Sequence, residues 1–219
     1  MITVKDIKND PAIRTYIQMA ADNLAAMGYT EHSFAHVGKV AATAKRILLT
    51  LGYPERDAQL AEIAGYLHDI GNIVNRSEHS QSGAIMAFSM LSRLGMDQGE
   101  IGYVVNAIGN HDEGTAIATN HISAALIIAD KTDVRSSRVQ ETDKSKFDIH
   151  DRVNYSVTYS ELHVKPDEGE IRLDITIDTE YCSVMEYFEI FLERMKLCSF
   201  AAEKLGQKFR LYINGQTLL

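Results

Sequence analysis

The chain has 219 residues, 45% of them hydrophobic and 24% charged, with only 3 prolines, which suits one sizeable folded domain and excludes a disordered chain. Its net charge of −8 comes with no Lys/Arg run longer than two residues, so it lacks the basic face that duplex nucleic acid demands. No apolar stretch approaches the roughly 20 residues of a bilayer span, the opening MITVKDIKNDPAIR has no signal-peptide core, and two cysteines are too few for a disulfide framework; the expected address is the cytoplasm.

The first two thirds read as helices. Asp10-Pro11 pairs a capping residue with proline at the first helical position, and Ile13, Ile17, Ala20, Leu24 and Met27 follow at helical spacing until Gly28. A second helix is expected from Ser33 to Leu51, with Val37, Val40, Ala44, Ile47, Leu48 and Leu51 on one face and Gly52 as its stop. A third opens at Pro54-Glu55, carries Leu60, Ile63, Ala64 and Leu67, and runs up to His68. Further helices are expected over 79–94, from Asp97 to about Asn110, and over 121–136. Short connections between them are those of a helical bundle.

The pattern changes after residue 140. Residues 141–146 are polar and read as a linker. Val153, Tyr155, Val157 and Tyr159 alternate with polar residues, as in a strand; a phase shift at Ser160-Glu161 suggests a bulge. Pro166 to Gly169 is turn chemistry, and Ile171, Leu173, Ile175 and Ile177 form the clearest strand. Ser183 and Glu186 make a capping box for a helix with Phe188, Phe191, Leu192, Met195 and Ala202 inward. Phe209, Leu211 and Ile213 form a last strand. The expected fold is therefore mainly α: a helical unit over 1–140 and a small α+β (β-β-α-β) unit over 147–219.

Certain polar residues sit where apolar ones belong. His68-Asp69 ends an apolar helix between Leu67 and Ile70, and an ionised Asp there is costly unless paired or bound to a cation. His36 lies on the apolar side of its helix, His79 opens another, His111 and Asp112 close a fifth, and Asp130 follows the run Ala-Leu-Ile-Ile-Ala. Singly, each has an ordinary explanation as a core histidine, a helix-end residue or a paired carboxylate. Imidazole and carboxylate together suit iron, manganese, nickel, cobalt or zinc.

The ordered set His36, His68-Asp69-Ile-Gly, His79, His111 and Asp130 resembles the HD-domain superfamily of metal-dependent phosphohydrolases, with His36-Val-Gly-Lys-Val40 similar to its first motif and Ala129-Asp130-Lys131 to its last. That resemblance implies an all-helical core in which His36, His68, Asp69 and Asp130 surround one divalent or ferric ion. Asp69 would bridge to a second ion held by His79 and His111, with Asp112 nearby. The implied activity is hydrolysis of a phosphomonoester or phosphoanhydride of a small molecule, above all a nucleotide, with a metal-bridging hydroxide as nucleophile and Lys131 or Arg135 steadying the phosphate. Arg76 and Arg138 are further phosphate candidates; His32 reads as a capping or supporting residue, and His121, His150 and His163 as surface or structural.

Two departures bear on the branch. Asn72 stands where many two-metal members carry Lys. The stretch His111-Asp-Glu-Gly-Thr-Ala116 lacks the Gly-Tyr-Pro motif of the cyclic-dinucleotide phosphodiesterases, whereas 129–135 is locally similar to the branch acting on dinucleoside polyphosphates. Rival readings are a di-iron oxygenase of the same superfamily and a non-catalytic signalling module. No membrane or nucleic-acid partner is expected, and an edge strand of the tail could support a homodimer.

Overall fold

The structure is a computed structural model describing residues 1–219. Its helical part comprises α1 (Val4–Asn9), α2 (Pro11–Ala26), α3 (Phe34–Thr50), α4 (Glu55–Leu67), α5 (His79–Arg93), α6 (Gln98–Gly109) and α7 (His121–Lys131). Asp10, the capping residue read from the sequence, accepts from the first backbone N–H groups of α2, and Ser33, Asp97 and Asn120 do the same for α3, α6 and α7. Gly28, Gly52 and Gly95, with φ of 80°, 80° and 78°, follow the ends of α2, α3 and α5 in the left-handed conformation that glycine adopts freely. Short α1, which sequence periodicity does not reveal, opens on a Thr3–Asp6 capping box.

Helix α7 is the axis of the fold. Every residue from Ile122 to Ala129 is buried, as expected of a helix that is apolar all round and covered on every side. It packs against α3, α4, α6 and, from the C-terminal part, α9 (Val184–Lys204). It ends at Lys131, earlier than the 121–136 expected. Thr132 turns its hydroxyl back to the Ile128 carbonyl, and the Asp133 carboxylate is drawn inward to His36. Arg135 therefore does not lie on a helix at all.

The C-terminal part holds α8 (Ile149–Ser156), β1 (Val157–Lys165), β2 (Glu170–Ile177), α9, β3 (Lys208–Ile213) and β4 (Gln216–Thr217), in a sheet of order β1-β2-β3-β4. The β-β-α-β order is present: β1–β2 is an antiparallel hairpin, and α9 is the crossover that makes β2–β3 parallel. Three details differ from expectation. Val153 and Tyr155 belong to α8, capped by Asp148, because helical and strand periodicity place Val153 and Val157 on the same inward side. The ladder irregularity falls between Val157 and Tyr159 rather than at Ser160-Glu161. On α9, Leu192 faces outward while Tyr187 is buried beside Phe191.

One cluster of 52 buried apolar residues runs through both parts of the chain, from Ile7 in α1 to Ile213 in β3. No helix is long and apolar enough to cross a membrane.

Candidate metal centre

The starts of α3 and α5 and the ends of α4, α6 and α7 meet at one end of the bundle. That places His36, His68-Asp69, His79, His111 and Asp130 together. The Nε2 atoms of His36 and His68 are 3.3 Å apart. His36 Nε2 lies 3.5 Å from Asp69 Oδ2 and 3.4 Å from Asp130 Oδ1, and His68 Nε2 lies 3.3 and 3.6 Å from the same two oxygens. On the other side, His79 Nε2 is 3.2 Å from His111 Nε2 and 3.6 Å from Asp69 Oδ1. The tightest triads are His36–His68–Asp130 and His68–Asp69–His111, each with ligand atoms within 4.8 Å of one another. Asp69 presents one oxygen to each side.

Each histidine is held by its other nitrogen. Nδ1 of His68, His79 and His111 donates to the carbonyls of Gly65, Arg76 and Ile108 at 2.8, 3.0 and 2.6 Å, and Nδ1 of His36 to the Asp133 carboxylate at 2.8 Å. A carbonyl only accepts, so the proton of a neutral ring is committed to Nδ1 and Nε2 turns a lone pair inward. Lone pairs then face lone pairs across about 3.3 Å, and Asp69 Oδ2, buried, accepts no hydrogen bond. Such an arrangement is repulsive unless a cation sits among the atoms. Ligands about 2.1 Å from a first-row ion, at the angles of tetrahedral or octahedral coordination, are about 3.0–3.6 Å from each other, the spacing seen on both sides. The donor set fits two such ions.

In the protein without metal, a proton takes the cation's place. Burial opposes charge on His68, but Asp69 and Asp130 outweigh it and hold the ring up to about 10. Burial pushes His79 and His111 down, so they are neutral near pH 7. A metal entering the first group must displace the His68 proton. We therefore expect release of about one proton per ion at that group and an apparent affinity rising about tenfold per pH unit between pH 7 and 9. Calorimetry in buffers of different ionisation enthalpy reads this directly; pH-independent binding would contradict it.

Supporting contacts complete the centre. Asn72 donates to Asp69 Oδ1 at 3.0 Å, so the residue at the usual lysine position orients the carboxylate between the two groups. Asp133, fully inside, also meets Lys39 and Arg135 at 2.9 and 3.0 Å. Burial would raise its carboxyl, yet His36, Arg138 and Lys39 keep it well below the usual carboxylate range. Asp133→Asn should lower metal affinity about 10–100-fold with the fold intact, since a metal-bound histidine leans on such a partner; a metal titration checks it.

The centre opens into a cavity of about 590 Å³. Lys131, whose Nζ is 2.7 Å from Asp130 Oδ2, lines it, as do Arg76 and Arg138. Arg135 does not: it is tied to Asp133, Glu31 and Ser137 on the far side of Asp133. Asp112 stands at the edge, 3.9 Å from His79. His32 also lines the cavity, its ring edge-on to His36 at 5.3 Å, its Nδ1 bonded to the Thr30 carbonyl. His121 stacks on Tyr53 and pairs with Asp57, and His163 pairs with Asp174 on the sheet. His150, read from sequence as surface or structural, is exposed and lies on the cavity wall, with Asp148, Asp151 and Asn154 around α8 and Phe191 and Arg194 from α9. Sequence reasoning missed this wall. The available signal was Arg194 itself, a charge within the apolar stripe of Phe191 and Met195.

The chain is similar to known proteins in sequence and in part of its fold. An uncharacterized protein, MJ1020, of Methanocaldococcus jannaschii is 28% identical over 222 residues, covering 90% of this chain and 83% of that protein. A crystal structure described as a predicted HD superfamily hydrolase, from an uncultured Thermotogales bacterium, superposes with a TM-score of 0.43 at 22% identity over 62% of this chain and 76% of the other. The model of the HD domain matches residues 33–151, more than half of the sequence and the whole stretch from His36 to Asp130. The chain belongs to the HD domain family.

Proposed function

We propose that the protein is a metal-dependent phosphohydrolase that cleaves a phosphate ester or anhydride of a small molecule, a nucleotide in particular. The observation that supports this most is Asp69. Its two oxygens face two histidine groups, and the inner oxygen is buried with no hydrogen-bond donor. His36, His68, Asp69 and Asp130 would hold one ion and Asp69, His79 and His111 the other. Such ions supply Lewis acidity toward a phosphoryl oxygen and lower the pKa of water. The chain's own residues do the rest. The Nδ1 anchors and Asn72 fix the ligand atoms before substrate arrives, and Lys131 places an ammonium beside them.

Charge balance favours a phosphorylated ligand. The cavity is lined by six carboxylates and four guanidinium or ammonium groups. Two divalent ions would turn that deficit of two positive charges into an excess of two, matching a phosphomonoester dianion. A cavity of about 590 Å³ has room for more than the phosphate. Tyr29 on its wall, with the Arg76 guanidinium over its ring, adds an aromatic surface suited to a planar base.

The test has two stages. Purified protein should carry about two first-row ions per chain by elemental analysis. It should then release phosphate from members of a panel of nucleotides and other phosphoesters. A metal-loaded protein that released none, or that consumed oxygen instead, would overturn the proposal.

A further inference from the structure

Beyond the family's own stretch, which ends at residue 151, the C-terminal part places one cation in the cavity. Arg194 projects from α9 with its guanidinium over the Phe191 ring at 4.7 Å. Its Nε lies 2.5 Å from Glu113 Oε1 but out of line for a hydrogen bond, so this buried N–H has no aligned acceptor. The same Glu113 oxygen is 3.8 Å from Lys131 Nζ, and Lys131 in turn sits 2.7 Å from Asp130. Glu113 belongs to the loop that follows His111-Asp112. One carboxylate thus stands between two cations, one beside the metal ligands and the other on the C-terminal unit. Arg138 adds a third. It is buried, its Nε and Nη1 are held by the carbonyls of Glu31 and Asp133 rather than paired closely with a carboxylate, and it lines the same cavity.

We propose that Arg194, with Lys131 and Arg138, forms an oxyanion subsite of this cavity, and that Glu113 is its resident counter-ion, displaced when a phosphoryl group binds. A carboxylate bridging two cations imitates one edge of a phosphate. A tetrahedral oxyanion offers more oxygens, so it satisfies Lys131 and the idle Arg194 Nε–H together, in the planar fork geometry for which guanidinium is suited. Phe191 holds the guanidinium plane and removes the need to order a free side chain on binding. The subsite rests on the phosphohydrolase reading for its role, since it would grip substrate phosphate next to the metal ions. It also makes the C-terminal unit part of the binding machinery rather than an appendage.

The experiment uses full-length, metal-loaded protein titrated calorimetrically with inorganic phosphate, with metal content measured on each sample. Arg194→Gln should bind phosphate about 10–100-fold more weakly, the worth of a hydrogen bond to a charged group. Arg194→Lys, which keeps the charge and loses the fork, should fall between. Glu113→Gln should bind more tightly than the unaltered protein, because the competing charge is gone. Phosphate binding by Arg194→Gln within twofold of the unaltered protein, at equal metal content, would overturn the subsite. Weaker binding by Glu113→Gln would overturn the counter-ion. These outcomes are separable from the hydrolase reading. A protein that binds phosphate as described and hydrolyses no phosphoester retains the subsite and loses the enzyme. One that turns over phosphoesters with Arg194→Gln unchanged in both phosphate affinity and KM retains the enzyme and loses the subsite.

Discussion

Asp69→Ala should abolish binding at both metal groups at once and lower phosphohydrolase activity by about three orders of magnitude or more, a loss of about 4 kcal/mol in transition-state stabilisation. The reason is position. Oδ2 stands within 3.5 Å of His36 and His68, and Oδ1 within 3.6 Å of His79. No other carboxylate pairs with histidines on both sides. Replacing any one histidine removes a ligand from one group, whereas removing this carboxylate takes one from each, together with the negative charge that both ions share. Elemental analysis should fall from about two ions per chain toward none. A ligand that binds only the native state raises the melting temperature, so added manganese should stabilise the unaltered protein and leave Asp69→Ala unmoved. A variant that kept both ions would remove the bridging role and, with it, the main support for the hydrolase.

Gly71→Ala should be nearly as damaging although the residue touches no ligand atom. Gly71 lies in the tight turn after Asp69, and a Cβ there would come within 2.0 Å of the His79 carbonyl oxygen and 2.5 Å of the Gly83 nitrogen. Both are backbone atoms of α5, so no side chain can swing aside. Ordinary contact begins at 3.4 Å, and the start of α5 would have to retreat by about 1.4 Å. His79 is the first residue of that helix. The retreat would pull its imidazole from Asp69 and His111 and open the second group while leaving the first. Overpacking of this kind costs about 3 kcal/mol or more, which for a chain of this length lowers the melting temperature by about 6–12 °C. A thermal melt with metal analysis should show a less stable protein that has lost one ion of two. Unchanged melting and stoichiometry would mean that α5 is more yielding than its packing indicates.

Much of this was legible in the amino-acid order, for identifiable reasons. Helices α2 to α7 are announced by apolar residues at helical spacing and by caps and glycine stops, all local signals. The convergence of His36, His68, Asp69, His79, His111 and Asp130 is readable because each is polar at a helix end or on an apolar face, in an order that resembles a known pattern. Where the sequence misleads, a non-local contact decides. Residues 153–159 alternate like a strand, and only the Asp148 cap and packing against the rest of the chain wind the first part into α8. Arg135 is led away from the cavity by Asp133, whose inward turn serves a histidine almost a hundred positions earlier. Arg194 reaches the cavity because α9 lies on α7, a contact that no periodicity encodes.

The anchoring of the four imidazoles has a consequence for heritable variation. Three of them lean on main-chain oxygens, which no codon change can remove while the helix ends persist, and only the ring at position 36 depends on a replaceable partner. Drift at neighbouring side chains can therefore retune the surroundings of the cage without loosening three of its corners, and the fourth is where single substitutions should first be felt.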